Sequence, residues 1–227
     1  MTIRRVLSAL AVAAALAGGL SACATAPTPK NYATFRSESP RSILVVPTLN
    51  NTVSVTAPEF FLSTISRPFA ERGYYVFPAH MVKGLLESNG LADAGLVHKA
   101  DARRLGKIFG CDSVLFVAIQ QWDSKYVILS TTTTVKFDYT LKSCKTDAVL
   151  WEDTQTMAYS PQASNSGGNI LGALIAQAIV AAIEKGKPNY MPLTIQANAV
   201  AATAPGRGLP AGPYLEAQYR KDQKTFP

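Results

Sequence analysis

The segment T-V-K-F-D-Y-T-L-K at residues 134–142 alternates apolar and polar side chains without interruption. Val135, Phe137, Tyr139 and Leu141 fall on one face of an extended chain, and the polar residues between them fall on the other. This period of two is typical of an antiparallel β-strand with one buried face and one polar face. The segment therefore predicts a sheet, around which the rest of the chain can be arranged.

The segments on either side of it complete a predicted β-meander. Ser113–Ile119 is nearly all apolar, which is typical of a central strand covered on both faces. Residues 142–147 are predicted to turn the chain, and Ala148–Tyr159 to return as a further strand around Trp151.

The residues before the meander predict alternating strands and helices. The apolar runs Ser42–Pro47 and Tyr74–Phe77 are predicted strands. Between them, Thr56 and Glu59 have the spacing of a helix-capping box, and Pro68 is expected to end or kink the helix that they begin.

Two shorter helices are predicted at His80–Ser88 and Asp101–Phe109, the second with Leu105, Ile108 and Phe109 directed inward. The resulting order, β-α-β-α-α followed by the meander, indicates an α/β fold with an α+β tendency. In such a fold, helices pack on a mixed sheet.

Length and composition set the class of protein. The chain has 227 residues, of which 48% are hydrophobic and 16% charged, and its formal net charge is +7. One globular domain with tails fits this length, and the apolar fraction excludes a disordered chain.

The N-terminus has the features of an export signal. Arg4 and Arg5 precede Val6–Leu20, a run of 15 residues without a charge. A transmembrane helix needs roughly 20 apolar residues, so this run predicts the hydrophobic region of a signal peptide, residues 1–22. The following L-S-A-C, at residues 20–23, resembles the bacterial lipobox.

The lipobox resemblance implies cleavage between Ala22 and Cys23 and acylation of Cys23. A diacylglycerol on the thiol and an acyl chain on the freed amine would form a permanent anchor, since each buried CH₂ contributes about 0.8 kcal/mol. Ala24, rather than Asp, follows the cysteine, which for sorted lipoproteins implies the Gram-negative outer membrane. An ordinary secretory signal and an uncleaved anchor are the alternatives.

The expected location is therefore the outer membrane, on its periplasmic face or at the cell surface. Loss of residues 1–22 removes two arginines and no acid, so the net charge falls from +7 to +5. No cofactor is expected other than the covalent lipid on Cys23.

The mature chain is predicted to have three parts. Residues 23–40 form a lipidated tether, residues 41–187 a single α/β domain, and residues 188–227 a tail rich in Pro, Gly and Ala. Within the tail at most a short helix is expected, from Pro213 to Arg220. Fully extended, the tether from Ala24 to Pro40 reaches about 60 Å.

Ile170–Ile183 is an apolar segment in which Gln177 is the one polar side chain. It is too short to span a bilayer and is predicted to be a helix buried on all sides. A core helix is the favoured interpretation, and a contact between copies of the chain or a membrane-inserting segment are the alternatives. Gly168 and Gly172 have the spacing of a close helix contact.

Residues that carry enzyme chemistry are sparse. His80 and His98 are the two histidines, and neither belongs to an H-E-x-x-H pattern. The sequence has no G-x-S-x-G elbow, P-loop or G-x-G-x-x-G motif, and S-N-S-G-G at residues 164–168 is interpreted as a linker rather than an anion site. No catalytic residue, no metal site and no enzymatic activity are expected. Four acidic residues are interpreted as caps at element ends: Glu87, Asp101, Asp112 and Asp123.

The basic residues are interleaved with acids and lack an aromatic stacking platform, so nucleic acid is not an expected partner. Weak attraction to anionic lipid head groups or cell-wall polymer stays open. The residues concerned are Arg103, Arg104, Lys107, Lys185, Lys187, Arg220, Lys221 and Lys224.

Cys111 and Cys144 share an oxidising compartment if the chain is exported. A hairpin turning near Ser124 would place Cys111 opposite Phe137, roughly 23 Å along the strand from Cys144. A disulfide needs Cα atoms within about 7 Å. Both cysteines are therefore expected to be free.

The sequence also resembles a known family. The segments R-S-I-L-V-V-P (41–47) and R-G-Y-Y-V-F-P (72–78), extended by Trp122 and by Leu150-Trp151, resemble Gram-negative lipoproteins of unknown function typified by a genome-derived neisserial antigen. The resemblance covers residues 41–185 and implies a fold similar to the amino-terminal domain of TolB and the periplasmic domain of CsgG. It also implies neighbours of the CsgG-like lipoprotein type, and no catalytic residues.

Three functions follow as hypotheses. The first is a non-enzymatic, outer-membrane-anchored docking or assembly component of an envelope complex connected with CsgG-like export. Its contacts would use the membrane lipid through Cys23, CsgG-like lipoproteins, and a second copy through Ile170–Ile183. The second is a regulator of peptidoglycan synthesis, for which the tether is short. The third is an envelope hydrolase, for which no catalytic group is found.

Overall fold

The alternating segment at residues 134–142 lies in the middle of a long antiparallel meander, as predicted. The computed structural model describes residues 30–127, 130–160 and 189–226. The strands are β1 (Ser42–Val45), β2 (Leu49–Asn50), β3 (Tyr75–Val76), β4 (Ser113–Val127), β5 (Ser130–Ser143) and β6 (Val149–Tyr159). The helices are α1 (Ala33–Glu38), α2 (Ala57–Glu71), α3 (Ala79–Ser88), α4 (Ala94–Lys99), α5 (Ala102–Phe109), α6 (Met191–Thr203) and α7 (Glu216–Thr225).

These strands form one mixed sheet in the order β3-β1-β4-β5-β6. β1 is parallel to β3 and β4, whereas β4, β5 and β6 are antiparallel. β2 continues alongside β4 after β1 ends. The predicted α/β class with helices packed on a mixed sheet is confirmed.

Two hydrophobic cores cover the sheet. On one face α2 and α6 pack against the inward side chains of β5, including the predicted Val135, Phe137, Tyr139 and Leu141, which are at most 1% exposed. On the other face α3, α4 and α5 cover β1, β2, the first part of β4 and the end of β5. The rest of that second face is polar.

A buried hydrogen-bond chain joins three elements of the larger core. The Tyr139 hydroxyl of β5 donates to Asn198 Oδ1 of α6 at 2.8 Å, and Asn198 Nδ2 donates to Thr64 Oγ1 of α2 at 2.9 Å. All three side chains are buried, and these hydrogen bonds satisfy their polar groups within the core.

Both ends of the predicted domain need correction. Residues 30–40, predicted as part of the tether, pack on the fold, with Tyr32 and Phe35 in the core. The predicted tail contributes the 13-residue helix α6 to the same core and closes on α7. The domain therefore extends beyond 41–187 on both sides, because the main core lacks a cover without α6.

Helix α2 departs from the sequence prediction in its capping contacts and in where it ends. It begins at Ala57 as expected, but Thr56 makes no capping hydrogen bond, and Glu59 instead pairs with Lys83 at 2.6 Å. Pro68 neither ends nor divides it, and the helix continues to Glu71 because Phe69 is fully buried. Tertiary packing offsets the hydrogen bond that proline removes.

Helix α5 ends at Gly110, in the left-handed region, as its sequence predicts. Leu105 is buried as expected, but Ile108 is 52% exposed and points away from the core. The prediction that Ile108 lies inward is wrong.

The expectation that Cys111 and Cys144 are free is also wrong, since the structure joins them in a disulfide with Cα atoms 6.0 Å apart. The error lies in the hairpin, which turns beyond Val127 rather than near Ser124. The longer strands pair Ser113 with Ser143, which places the two cysteines side by side at the end of the sheet.

Candidate functional site

Asp153 is a buried carboxylate on the edge strand β6, with its side chain 1% exposed. Its Oδ1 accepts hydrogen bonds from Lys30 Nζ at 2.8 Å and from Arg207 Nη2 at 3.3 Å. The side-chain amide of Gln155 donates to Oδ2. The three donors satisfy a charge that would otherwise oppose burial.

Lys30 is held by more than this ion pair. Its ammonium also donates to the carbonyl of Glu152, and it lies 5.1 Å from the ring centroid of Trp151. The indole of Trp151 in turn donates to the carbonyl of Arg207 at 2.8 Å. Lys30 is therefore fixed to β6, and Trp151 and Asp153 connect this site to Arg207 between α6 and α7.

Tyr32 completes this junction. It is 1% exposed, and its hydroxyl donates to the carbonyl of Gly208 at 2.7 Å. Burial, with a smaller contribution from the negative charge of Asp153, raises the pKa of Tyr32 far above its usual value. The hydroxyl stays protonated and serves as a structural donor.

These residues line an open groove of about 710 Å³ along β6. Its other acidic groups include Asp138, which accepts from Gln120 Nε2 at 2.7 Å and Thr154 Oγ1 at 2.8 Å. Burial also raises the pKa of Tyr139, whose hydroxyl is committed to Asn198. The polar groups of the groove are thus engaged with each other, which suits a rigid junction better than a nucleophile paired with a base.

The second face of β4, β5 and β6 carries a ladder of polar side chains. Asn51 donates to Gln120, Gln120 to Asp138, and Thr154 to Asp138, over distances of 2.7–3.1 Å. The described helices leave this part of the sheet uncovered, since α3, α4 and α5 pack only on its other end. The hydrogen bonds along the ladder hold its polar groups in fixed orientations.

The residues predicted to carry the lipid, Ala22 and Cys23, lie outside the described residues, as do the linker at residues 164–168 and the apolar segment Ile170–Ile183. None of the helices in the described ranges has both the length and the hydropathy that a bilayer span requires. The same ranges hold no group of three or more His, Cys, Asp or Glu side chains placed to bind a metal ion.

The two histidines have structural surroundings. His80 lies exposed in the first turn of α3. His98 lies against Phe116, and its Nε2 is 3.0 Å from the carbonyl oxygen of Pro47. Burial lowers the pKa of His98, so the neutral ring is favoured.

Of the four acids interpreted as caps, Asp101 caps α5 by accepting from the backbone of Arg103, whose side chain helps to lower the pKa of Asp101 to about 2. Asp112 accepts from the backbone N–H groups of Arg41 and Ser42 at the start of β1. Glu87 instead pairs with Lys83 within α3, and Asp123 lies inside β4 beside Lys125. The cap interpretation fits Asp101 and fails for Glu87 and Asp123.

Sequence reasoning missed the junction around Asp153. A signal was present, because Asp153 and Gln155 follow Trp151 in the inward phase of β6. A carboxylate in the buried phase of a strand requires a cation, and Lys30 and Arg207 supply it from 123 and 54 residues away. Only the folded chain shows which cations those are.

Comparison with known proteins places this fold. Residues 30–214 match the sequence profile of the family described as "GNA1162-like". The chain is 36% identical over 171 residues to "Putative lipoprotein NMB1124/NMB1162" of Neisseria meningitidis serogroup B. The aligned region covers 75% of this chain and 78% of that relative. The chain belongs to the GNA1162-like lipoprotein family.

A solved structure agrees with this assignment. The crystal structure of lipoprotein GNA1162 from Neisseria meningitidis is 32% identical, with a TM-score of 0.53, over 64% of this chain and 99% of that one. A PelC dodecamer from Paraburkholderia phytofirmans is 18% identical, with a TM-score of 0.36, over 68% of this chain and 88% of that one. The predicted family is confirmed, and membership implies a membrane-anchored protein of the bacterial envelope.

Proposed function

We propose that this chain is an outer-membrane lipoprotein, anchored through Cys23, that acts without catalysis as a docking component of an envelope complex. The proposal rests on one observation above all: the buried carboxylate of Asp153 fixes Lys30 to the edge of the sheet. Lys30 lies seven residues after Cys23, so the anchor reaches at most about 25 Å from the folded domain.

A short reach separates the two leading hypotheses. A regulator that crosses the cell wall requires a long tether, and the 60 Å expected from residues 24–40 is reduced because residues 30–40 belong to the fold. A domain held within about 25 Å of the lipid surface is suited to gather partners at the membrane itself. The reach therefore favours docking over regulation of peptidoglycan synthesis at a distance.

The polar ladder on β4, β5 and β6 supplies a surface for such a partner. Its side chains are held by hydrogen bonds among Asn51, Gln120, Asp138 and Thr154. Binding of a partner would therefore cost little side-chain conformational entropy. The expected partners are envelope lipoproteins of the CsgG-like type, and a second copy contacting through Ile170–Ile183 remains part of the proposal.

Photo-crosslinking in intact cells tests this function. A photoreactive amino acid replaces Thr156, which is exposed on the ladder face of β6, and in a matched control replaces Arg67, which is exposed on α2. We expect an envelope lipoprotein to be captured from position 156 and not from position 67. Capture of peptidoglycan synthases alone would refute the docking proposal in favour of the regulator.

A further inference from the structure

A second concave surface, of about 430 Å³, lies at the end of the sheet beside the disulfide. Its charged lining consists of Arg103, Arg104, Lys107 and Lys145 against one acid, Asp101. Cations thus outnumber acids by four to one on a surface that the groove at Asp153 does not include.

Half of these cations are unpaired among the described residues, and a third cation, Lys145, is only loosely paired and largely exposed. Arg103 is paired with Asp101, and Lys145 lies 3.9 Å from a carboxylate oxygen of Asp112 while its side chain is 65% exposed. Arg104 and Lys107 are exposed on α5 and form no ion pair with any described residue. Ile108, beside them, is 52% exposed, which adds an apolar group to the basic surface.

The surface is built on a rigid base. The disulfide joins Cys111, just after α5, to Cys144 in the turn between β5 and β6. Gly106 of α5 packs so closely on this turn that a Cβ there would lie 2.5 Å from the carbonyl oxygen of Cys144. Asp147 in the same turn accepts from the backbone N–H of Ala102 at 3.0 Å.

This basic surface lies at the end of the sheet where the N-terminal segment leaves the fold. Lys30 binds β6 at Glu152, about 10 Å along the strand from Val149, and the turn that holds Lys145 immediately precedes Val149. Glu38 at the end of α1 also accepts from the Ser143 hydroxyl at 3.1 Å. A lipid on Cys23 would therefore hold this end of the domain against the membrane.

We infer that the exposed face of α5, together with Lys145, binds anionic phospholipid head groups of the membrane that holds Cys23. The inference rests on the proposed lipid anchor and adds to it an orientation of the domain. In this orientation α5 lies against the bilayer, and the end of the sheet where β4 turns into β5 points away from the bilayer. Basic residues beside an exposed apolar side chain are the pattern that favours binding at an anionic membrane surface.

Lysine footprinting of the full-length lipoprotein tests the orientation. The protein is purified from cell membranes, the lipid on Cys23 is verified by mass, and the protein is reconstituted in vesicles of phosphatidylcholine alone or mixed with phosphatidylglycerol. A membrane-impermeant amine reagent then reports the modification rates of Lys107 and Lys145. Lys125, which is 72% exposed near the far end of β4, is the internal reference.

On the anionic vesicles we expect the rates at Lys107 and Lys145 to fall about fivefold or more relative to Lys125. The charge reversal Arg104→Glu should restore the Lys145 rate, whereas the matched reversal Lys136→Glu on the ladder face should not. Equal relative rates on the two kinds of vesicle would overturn the inference.

Two further outcomes are distinguishable. Protection by inorganic phosphate added to the protein in neutral detergent would indicate a site for free phosphate and would overturn the membrane assignment. Absence of lipid on Cys23 would refute the proposed anchor before any footprint is taken, whereas a lipidated protein without protection would refute only the orientation.

Discussion

Substitution of Asp153 by Asn should release the N-terminal segment from the edge of the sheet. Asparagine preserves the shape of the side chain and removes the charge that holds Lys30 and Arg207. A hydrogen bond to a charged group contributes about 1.5–3 kcal/mol, and the partial exposure of both cations places the loss near the lower end of this range, about 1.5 kcal/mol. Local opening of residues 30–32 should therefore increase about tenfold.

Trypsin cleavage after Lys30 measures this opening. The protease requires an extended, accessible chain, so in the wild type it must wait until Lys30 and the buried Tyr32 leave the fold. In membranes that carry the protein, the rate at which a new N-terminus appears at Asn31 should be about tenfold higher for Asp153→Asn.

Two controls separate local opening from general destabilisation. Asp138→Asn makes the same change of charge in the same groove without touching Lys30, and should leave the rate of cleavage after Lys30 nearly unchanged. Cleavage after Lys136 in β5, beside the fully buried Phe137, reports unfolding of the main core. An unchanged rate at Lys30 in Asp153→Asn, or an equal increase at Lys136, would refute the role assigned to the junction.

Three more predictions concern stability. Replacing Cys111 and Cys144 by Ala should lower the free energy of unfolding by about 4 kcal/mol, since the disulfide closes a loop of 33 residues, and urea denaturation that shows no shift would contradict the cross-link. Gly106→Ala should destabilise the fold by about 1–3 kcal/mol because of its contact with Cys144, whereas Gly84→Ala, in open space on α3, should stabilise it by about 0.5–1 kcal/mol in the same denaturation assay. Because the pKa of His98 is lower in the folded chain, this residue binds a proton more readily in the unfolded chain. The free energy of unfolding should therefore fall as the pH drops below about 6.5, by at most about 1.4 kcal/mol per pH unit from His98. His98→Phe should flatten that decline, and an unchanged slope in pH-dependent denaturation would contradict the assignment.

The parts of the fold that sequence predicted are those whose pattern is local. The alternation at residues 135–141 predicts which face of the strand is buried. In the structure that face is buried, with Val135, Phe137, Tyr139 and Leu141 in the core. The same holds for α5, where Asp101 and Gly110 mark both ends.

The missed parts depend on contacts distant in sequence. Helix α6 has alanines on several faces and no polar stripe, so its sequence does not show which face is buried. Its position becomes clear only from its packing against the core formed by α2 and β5. The pairing of Cys111 with Cys144 depends on the length of a hairpin, which an apolar pattern does not define because both strands extend into polar residues.

The candidate site divides in the same way. Acylation at Cys23 is predicted from a local motif and stays a prediction, since it lies outside the described residues. The junction of Lys30, Asp153 and Arg207 brings together three distant segments, so only the inward position of Asp153 on β6 could be noticed in advance.

The central claim is that a lipid on Cys23 holds a rigid domain seven residues away. Mass spectrometry of the N-terminal peptide from protein purified out of cell membranes tests it most directly. We predict that the mature chain begins at Cys23, with a diacylglycerol on the thiol and an acyl chain on the amine. A chain that begins elsewhere, or an unmodified Cys23, would contradict the account.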